Sequence, residues 1–436
     1  MNIDNTNTHH GLTRRGFLKT GGAAIALGSV LYAAGRAAAA ESNSPNERLG
    51  IGVIGCGGRG NNHIDMLEWM KGQGDNIAVT AVCDIYTPRR ERTAQRVGAK
   101  AYADYHDLLA DKSVNVVCIA TPDHHHGQQA IDAIAAGKDV YCEKPVTHWR
   151  QFETTKRLAE TVAASDRVFQ LGTQAMSDPV WRQMKKLVQD GLIGQPIYAE
   201  TGFFRTGDWG ERDMPVDNPD AKAGPDLNWE AFLGDAPKRE FNVDRFFRWR
   251  LFMDYAGGPV TDLYPHCLTQ VMDIMGVSFP ESVAALGAIH RYPYELRDVP
   301  DTFSLIAQYP EKATIVVMGT QGNDYNDGPD RGSGRRCPVI HGGDGALILR
   351  DNKEIVFAPI REKGAKPPQR FAIEGSEDNV THWRNLLNGC RTRNKQTFSP
   401  MDLAFRTQTT LQMAMQSFLT RKTVGFDAKT LAMTTG

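Results

Sequence analysis

The chain of 436 residues lacks an excess of either charge. It carries 50 lysines and arginines against 51 aspartates and glutamates, whereas proteins that bind nucleic acid normally show a basic surplus. We therefore expect no nucleic-acid partner. The sequence also lacks an apolar run of the roughly 20 residues that a membrane-spanning helix needs, so we expect no stable membrane anchor.

Cysteine is scarce and shows no metal-binding pattern. The seven cysteines are an odd number and none forms a CxxC pair, so the ligand spacing of a structural zinc site is missing. Cys56, Cys83, Cys118 and Cys142 lie in or beside apolar strand-like runs. Such cysteines behave as small hydrophobic residues, and we predict buried free thiols and no metal site.

Residues 1–40 have the order of an export signal. Arg14 and Arg15 open the sequence Arg-Arg-Gly-Phe-Leu-Lys, an apolar stretch rich in Gly and Ala follows at 21–31, and four alanines end at Ala40. This order is typical of a twin-arginine signal peptide, with cleavage predicted after Ala40. We expect the twin-arginine export machinery to be a partner, and the folded protein to reach the periplasm or another extracytoplasmic compartment.

From residue 48 to about 170, strand-like and helix-like segments alternate over short connections. This alternation predicts a doubly wound parallel sheet, a Rossmann domain spanning 48–170. The predicted strands and helices are strands 49–54, 77–83, 114–120 and 139–142 and helices 61–71, 88–97 and 127–136.

Beyond residue 171 long strand-like runs replace the alternation. They predict a second, α+β domain over 171–436 with a large open, mostly antiparallel sheet and a long loop at 322–345. An uncovered apolar sheet face favours pairing with another copy, so we expect a homo-oligomer. The predicted elements are strands 196–205, 281–291, 301–309, 313–318 and 346–358 and helices 180–190, 257–275, 379–387 and 401–420.

The glycine pattern Gly55-x-Gly57-x-x-Gly60 lies between the first predicted strand and helix, and Asp84 ends the second strand. In this context the glycines allow a tight turn and close approach of a pyrophosphate to the helix N-terminus, and the acidic residue binds ribose hydroxyls. Asp84 would repel a 2′-phosphate and favours NAD. The neighbouring Arg89 and Arg90 leave NADP open.

Three further motifs follow predicted strands or open a helix. Three consecutive histidines in Thr121-Pro122-Asp123-His124-His125-His126 are open to three interpretations, namely a solvated loop that caps a helix, cofactor or substrate contacts, or metal ligands. Glu143-Lys144-Pro145 offers a lysine that can stabilise a developing alkoxide, although an ordinary strand-ending loop is equally consistent with the pattern. Asp262 and His266, four residues apart, lie on one face of a predicted helix. They suit an acid/base pair, or a helix cap beside a packed histidine.

This combination resembles the glucose–fructose oxidoreductase and inositol dehydrogenase family (Gfo/Idh/MocA), over about residues 48–427, in a twin-arginine-exported form. The resemblance implies a cis Lys144–Pro145 bond and makes Lys144, Asp262 and His266 the catalytic residues. The predicted cofactor-binding residues are Gly55, Gly57, Gly58, Arg59, Gly60, Asp84, Thr121, Pro122, His124, His126, Glu143, Lys144 and Gln174.

The resemblance implies an NAD(P)-dependent oxidoreductase that acts on a CH–OH group of a sugar, polyol or glycoside, with His266 as acid/base. Aromatic and arginine side chains that suit a carbohydrate lie at Trp209, Arg245, Arg248, Trp249 and Arg250. The alternatives are an exported glycosidase that oxidises its substrate transiently with NAD, and a non-catalytic sugar or dinucleotide sensor. An extracytoplasmic enzyme has no expected pool of free NAD, so we expect the nucleotide to be tightly bound.

Overall fold

The computed structural model describes residues 48–207, 213–326 and 334–435. The predicted signal peptide at 1–40 and Trp209 lie outside the described residues. Within them, no helix has the length and apolar character needed to cross a bilayer, and all seven cysteines are buried free thiols, as predicted for the four in strand-like runs.

The first domain is a parallel sheet of six strands with helices on both faces. The strand order is β3-β2-β1-β4-β5-β6, and every neighbouring pair is parallel, which is the Rossmann order. Its elements are β1 (Leu49–Ile54), α1 (Gly58–Gly72), β2 (Ile77–Cys83), α2 (Thr87–Val97), β3 (Lys100–Tyr102), α3 (Tyr105–Ala110), β4 (Val116–Ile119), α4 (Asp123–Ala135), β5 (Asp139–Glu143), α5 (Phe152–Ala164) and β6 (Phe169–Gly172).

The doubly wound parallel sheet is confirmed, with one correction in its loops. Helix α4 begins at Asp123 rather than at residue 127, so the three histidines lie in its first turn and not in a loop. Pro122 takes the extended conformation, with ψ at 153°, and an acidic residue next to it is favoured by the positive end of the helix dipole. The short β3 and α3, and also α5 and β6, were not among the predicted elements.

The second domain is built on a sheet of ten strands. Its elements are α6 (Pro179–Gln189), β7 (Pro196–Phe204), α7 (Trp229–Leu233), α8 (Val243–Phe247), α9 (Pro259–Asp262), α10 (Tyr264–Met275), β8 (Ser282–Ala288), β9 (Thr302–Tyr309), β10 (Ala313–Thr320), β11 (Arg335–Gly342), β12 (Gly345–Arg350), β13 (Glu354–Pro359), β14 (Gln369–Ala372), α11 (Asn379–Thr392), α12 (Met401–Thr420), β15 (Val424–Asp427) and β16 (Ala432–Thr435), with 3-10 turns at Gln174–Ser177 and Trp249–Leu251.

The strand order of this sheet is β14-β13-β12-β11-β7-β10-β9-β8-β15-β16. Only the central pair β7–β10 is parallel among the described pairs, so the predicted open, mostly antiparallel sheet is confirmed. Burial alternates strictly along β9 and β10. This period of two places one face of the sheet against helices α10 and α12, where the main core of the domain lies.

Three predicted elements of this domain are wrong in detail. The run 346–358 is two strands, β12 and β13, because Asp351 and Asn352 both have positive φ and form the tight hairpin turn. The predicted loop 322–345 contains strand β11. This strand was not predicted, because it begins with two arginines and contains Pro338. The register of β11 against β7 shifts between Arg336 and Val339, and a bulge of this kind tolerates proline.

The predicted helix 257–275 is also two helices, α9 and α10. They are separated at Leu263, because Pro265 has no N–H to continue the hydrogen bonds of α9. Pro265 instead occupies the first turn of α10, and Gly276 ends that helix in the left-handed conformation.

The C-terminal part of the chain returns to the first domain. Trp383 and Leu386 of α11 belong to the core beneath β1 and β4, and Met401 and Phe405 of α12 pack into the core on the other side of the sheet. Helix α12 therefore packs against both sheets. These contacts hold the carboxyl ends of the parallel strands opposite the second domain.

Candidate active site

The carboxyl ends of β1, β2, β4 and β5 open into a cavity of about 1730 Å³. Ligands of doubly wound sheets bind at this edge, where the strand order reverses. The second domain supplies the opposite wall, and all thirteen predicted cofactor-binding residues except Gly60 line the cavity, as do Asp262 and His266.

The loop after β1 fits a dinucleotide phosphate. Gly55 has φ of +95°, and a Cβ there would stand 2.6 Å from the Ala120 carbonyl oxygen. A Cβ on Gly60 would stand 1.8 Å from the Gly55 oxygen. Helix α1 starts immediately after Gly57 with no side-chain cap and no acidic residue in its first turn, so its amino end presents backbone N–H groups and a positive dipole to the cavity.

Asp84 ends β2 beside this loop. Its carboxylate accepts hydrogen bonds from the backbone N–H groups of Cys56 and Tyr86, both at 2.8 Å. Burial raises the pKa of Asp84, although Arg89 and the two backbone donors oppose the shift. Each oxygen keeps a further lone pair, so the residue fits the acceptor role toward ribose hydroxyls.

Glu143, at the end of β5, is the centre of a buried polar network. Its Oε1 accepts from Arg59 Nε, His63 Nε2 and Gln174 Nε2, each at 2.8 Å. Burial alone would raise the pKa of Glu143, but Arg59, His63 and Lys144 outweigh it and hold the pKa well below its usual value. The structure thus joins three residues that were predicted separately, Arg59, Glu143 and Gln174.

The network contains two residues that the sequence analysis missed. Trp383 donates its indole N–H to His63 Nδ1 at 3.0 Å, so His63 carries its proton on Nε2 and donates it to Glu143. Burial lowers the pKa of His63, which keeps this tautomer neutral. His63 lies one turn beyond Gly60 on α1, but its partner lies 320 residues away, and no local pattern indicates the contact.

Lys144 and Asp262 form an ion pair across the two domains. Lys144 Nζ donates to the carboxylate and to the backbone oxygen of Asp262, both at 2.7 Å. The Lys144–Pro145 bond is cis. Arg250 and Arg205 lie 3.3 and 3.7 Å from the same carboxylate. Burial would raise the pKa of Asp262, but Lys144 and the two arginines hold it far below its ordinary value.

His266 lies in the first turn of α10 and faces the same cavity. Burial, then the positive charges of Lys144 and Arg335, lower the pKa of His266 to about 3. The ring is therefore neutral at physiological pH and can accept a proton. The expected partnership with Asp262 takes a different form. Among the described residues, the Asp262 carboxylate bonds to Lys144, and no hydrogen bond joins it to His266.

The side chains of all three consecutive histidines contact backbone oxygens of the protein. His124 and His125 both contact the Phe232 backbone oxygen through Nε2 at 2.7 Å, and His126 contacts the backbone oxygens of Pro145 and Thr121. These contacts connect the β4–α4 and β5 loops with the second domain, which is a packing role. Within the described residues no group of three or more metal-ligating side chains converges.

The residues singled out for carbohydrate binding divide into two groups. Trp249 and Arg250 line the cavity, with the guanidinium of Arg250 over the Trp249 ring at 4.3 Å. Arg245 pairs with Asp254 and Arg248 with Asp244, and neither lines the cavity. Trp249 and Arg250 are suited to a sugar face. The ion pairs of Arg245 and Arg248 stabilise the segment that carries them.

The fold and the cavity define a two-domain dinucleotide-binding protein. Residues 49–173 match the GFO_IDH_MocA model, an oxidoreductase family with an NAD-binding Rossmann fold, and residues 177–329 match the model of that family's C-terminal alpha/beta domain. Together the two matches cover more than half of the chain, and the chain belongs to this oxidoreductase family.

Curated relatives include inositol dehydrogenases. The chain is 34% identical to inositol 2-dehydrogenase of Salmonella typhimurium over 170 residues, which is 38% of this chain and 49% of the relative. It is 31% identical to inositol 2-dehydrogenase of Burkholderia cenocepacia over 218 residues, 50% of this chain and 58% of the relative. The chain thus spans about half the length of the curated relatives it matches.

Solved structures share the fold over nearly their whole length. An NAD-binding oxidoreductase from Klebsiella pneumoniae has a TM-score of 0.64 at 20% identity, covering 87% of this chain and 99% of that structure. A levoglucosan dehydrogenase in complex with NADH and levoglucosan has a TM-score of 0.61 at 17% identity, covering 89% and 99%. At these identities the likeness concerns the fold.

Proposed function

We propose that this protein is an NAD-dependent oxidoreductase that interconverts a secondary hydroxyl and a ketone on a sugar or cyclic polyol. The observation that carries the proposal is the joint placement of Lys144, Asp262 and His266 in the cavity that also holds the glycine fingerprint. The named activities of the inositol and levoglucosan dehydrogenases support the substrate class.

Each of the three side chains has a distinct part in this reaction. Lys144, held by Asp262, provides a fixed ammonium that hydrogen-bonds the reacting oxygen and stabilises negative charge on it. A ring nitrogen of His266, neutral in the free site, takes the hydroxyl proton as the carbon–oxygen double bond forms. A nicotinamide dinucleotide held by the fingerprint loop and Asp84 would supply the hydride acceptor. The structure supports a revised part for Asp262, which positions Lys144 and balances its charge.

The network around Glu143 prepares the site for this chemistry. It joins the amino end of α1, through Arg59 and His63, to the residue directly before Lys144. Buried and fully bonded polar groups of this kind restrict the side chains attached to them. We propose that Arg59, Glu143 and His63 act as positioning residues for the fingerprint loop and for Lys144.

We also propose that the protein works outside the cytoplasm with a retained nucleotide, after export by the twin-arginine route. The order of residues 1–40 supports export, and the 1730 Å³ cavity lined by both domains supports retention. A retained nucleotide must be returned to its starting redox state within the site, either by a second substrate or by the same substrate after bond cleavage.

The test is a panel of sugars, polyols and glycosides on purified protein, with the bound nucleotide identified after denaturation. We expect a spectroscopic change of bound NAD with one substrate group. Lys144→Ala and His266→Ala should each lower turnover about a hundredfold or more with nucleotide still bound. Lys185→Ala and His341→Ala are matched controls, since Lys185 pairs with Asp273 at 2.7 Å outside the cavity and His341 lies on β11.

Near-normal turnover in either cavity variant would remove that residue from the mechanism. Release of an aglycone with no net change in NADH would mean that the protein is a redox-neutral glycosidase and not a net dehydrogenase. Binding of nucleotide and sugar with no turnover of any substrate would favour the sensor.

A further inference from the structure

A segment of the second domain, residues 213–256, crosses the corner between β2 and α2 at which Asp84 lies. We call it the crossing segment. The Thr87 N–H donates to the Asp226 oxygen at 2.8 Å, and the Asn228 N–H donates to the Ile85 oxygen at 3.2 Å. Tyr86 packs edge-on against Phe246 and Phe247 of α8. Backbone bonds and an aromatic cluster therefore fix the crossing segment against the end of β2.

The crossing segment brings Asp217 to Arg89. Arg89 donates from Nε to Oδ2 of Asp217 at 2.8 Å and from a terminal nitrogen to Oδ1 at 3.1 Å. The guanidinium lies 5.1 Å from the Phe247 ring centroid, and both charged side chains are mostly shielded, with 16% and 22% exposed. A two-bond pair that is shielded in this way is a strong one.

Arg89 also lies beside the nucleotide loop. Its remaining terminal nitrogen would be 3.3 Å from a Cβ on Gly57. Burial would lower the pKa of Arg89, but Asp217 and Asp84 outweigh it and raise the pKa. An arginine near the acidic residue that ends the second strand is the group that accommodates the 2′-phosphate of NADP in Rossmann domains. The other candidate, Arg90, donates to the Asp84 backbone oxygen and to Thr87.

We propose that Asp217 is a cofactor-specificity residue that makes this site select NAD over NADP. It neutralises Arg89, which lines the cavity, by the two-bond pair. To bind Arg89, a 2′-phosphate would have to break the Arg89–Asp217 pair and lie against the Asp217 carboxylate, which is discrimination by repulsion as well as by lost attraction. The inference rests on the proposed use of a dinucleotide.

The test is a competition between the two nucleotides. Purified wild type and Asp217→Asn are stripped of retained nucleotide, equilibrated with equal concentrations of NAD and NADP, passed through gel filtration and denatured, and the bound nucleotides are quantified by chromatography. We expect Asp217→Asn to raise the bound NADP-to-NAD ratio about tenfold, which corresponds to about 1.4 kcal/mol.

Three further variants make the result specific. Asp220→Asn makes the same charge change at an exposed position of the crossing segment and should leave the ratio unchanged. Arg89→Gln should lower the ratio, and Arg89→Gln combined with Asp217→Asn should remove the gain, as a double-mutant cycle requires. If Asp217→Asn does not fold, the lower NADP-to-NAD ratio expected in Arg89→Gln still tests the inference.

An unchanged ratio in Asp217→Asn, or an equal change in Asp220→Asn, would overturn the inference while NAD binding itself stays intact. Wild-type protein that binds neither nucleotide would instead overturn the proposed function, and the inference with it.

Discussion

The buried carboxylate of Glu143 offers a direct test of how the site is held together. We predict that Glu143→Gln, which keeps the shape and removes the charge, lowers the free energy of unfolding by about 2 kcal/mol at pH 7. The side chain of Glu143 is 5% exposed and receives Arg59, His63 and Gln174 on one oxygen. The substitution leaves Arg59 without its counter-charge. The Arg59 side chain is 35% exposed, so solvent screens part of the loss, and the amide oxygen retains part of the hydrogen bonding.

Glu200→Gln is the matched control. Glu200 on β7 also pairs with an arginine, Arg336, at 2.9 Å, but its side chain is 26% exposed. Pairs near the surface contribute at most about 1 kcal/mol, so this variant should lose no more than that. The measurement is equilibrium unfolding in urea, followed by circular dichroism, for wild type and both variants.

The pH dependence gives a second reading of the same variant. A carboxylate whose folded pKa is depressed contributes stability that is present above its unfolded pKa and is lost as pH falls. The stability difference between wild type and Glu143→Gln should therefore shrink below about pH 4.3, the ordinary value for glutamate. Equal losses in the two variants at pH 7, or no loss in Glu143→Gln, would refute the reasoning from burial.

Three further predictions concern the nucleotide and the base. Because burial and neighbouring positive charges lower the pKa of His266 to about 3, the histidine stays neutral on mild acidification, so kcat/KM should hold down to about pH 5. An acid limb near 6.5, the ordinary histidine value, would contradict this. Asp84→Ser should raise affinity for NADP relative to NAD, because it removes the carboxylate that would face a 2′-phosphate, and titrations with an unchanged ratio would withdraw that assignment. Purified protein should retain nucleotide through extensive dialysis, with a dissociation constant well below micromolar, equivalent to about −10 kcal/mol or better. Protein that emerges empty yet turns over with added NAD would instead indicate a freely exchanging enzyme.

The differences between prediction and structure follow one physical pattern. Hydrophobic periodicity and glycine spacing are local. Four of the six parallel strands (β1, β2, β4 and β5), the fingerprint loop and the helix Met401–Thr420 were predicted from them. Elements whose sequence carries a conflicting signal were missed. Strand β11 begins with two arginines and contains Pro338. The Asp351–Asn352 turn lies in the polar stretch 350–354 between two apolar runs, which were predicted together as one strand.

The pairing of polar groups depended on contacts that no local pattern encodes. The spacing of Asp262 and His266 suggested one helix face and one acid/base pair, yet Pro265 breaks the helix, and Lys144, 118 residues earlier, takes the carboxylate. The hydrogen bond from Trp383 sets the tautomer of His63, and the carboxylate of Asp217 pairs with Arg89.

The sequence by itself therefore determined the doubly wound class of the first sheet, the nucleotide loop and the residue types available for catalysis. Strand period, turn geometry and helix ends are properties of neighbouring residues. Only the tertiary structure decided which charges meet, which histidines stay neutral and which carboxylate each arginine pairs with, because those properties depend on burial and on partners brought together from distant parts of the chain.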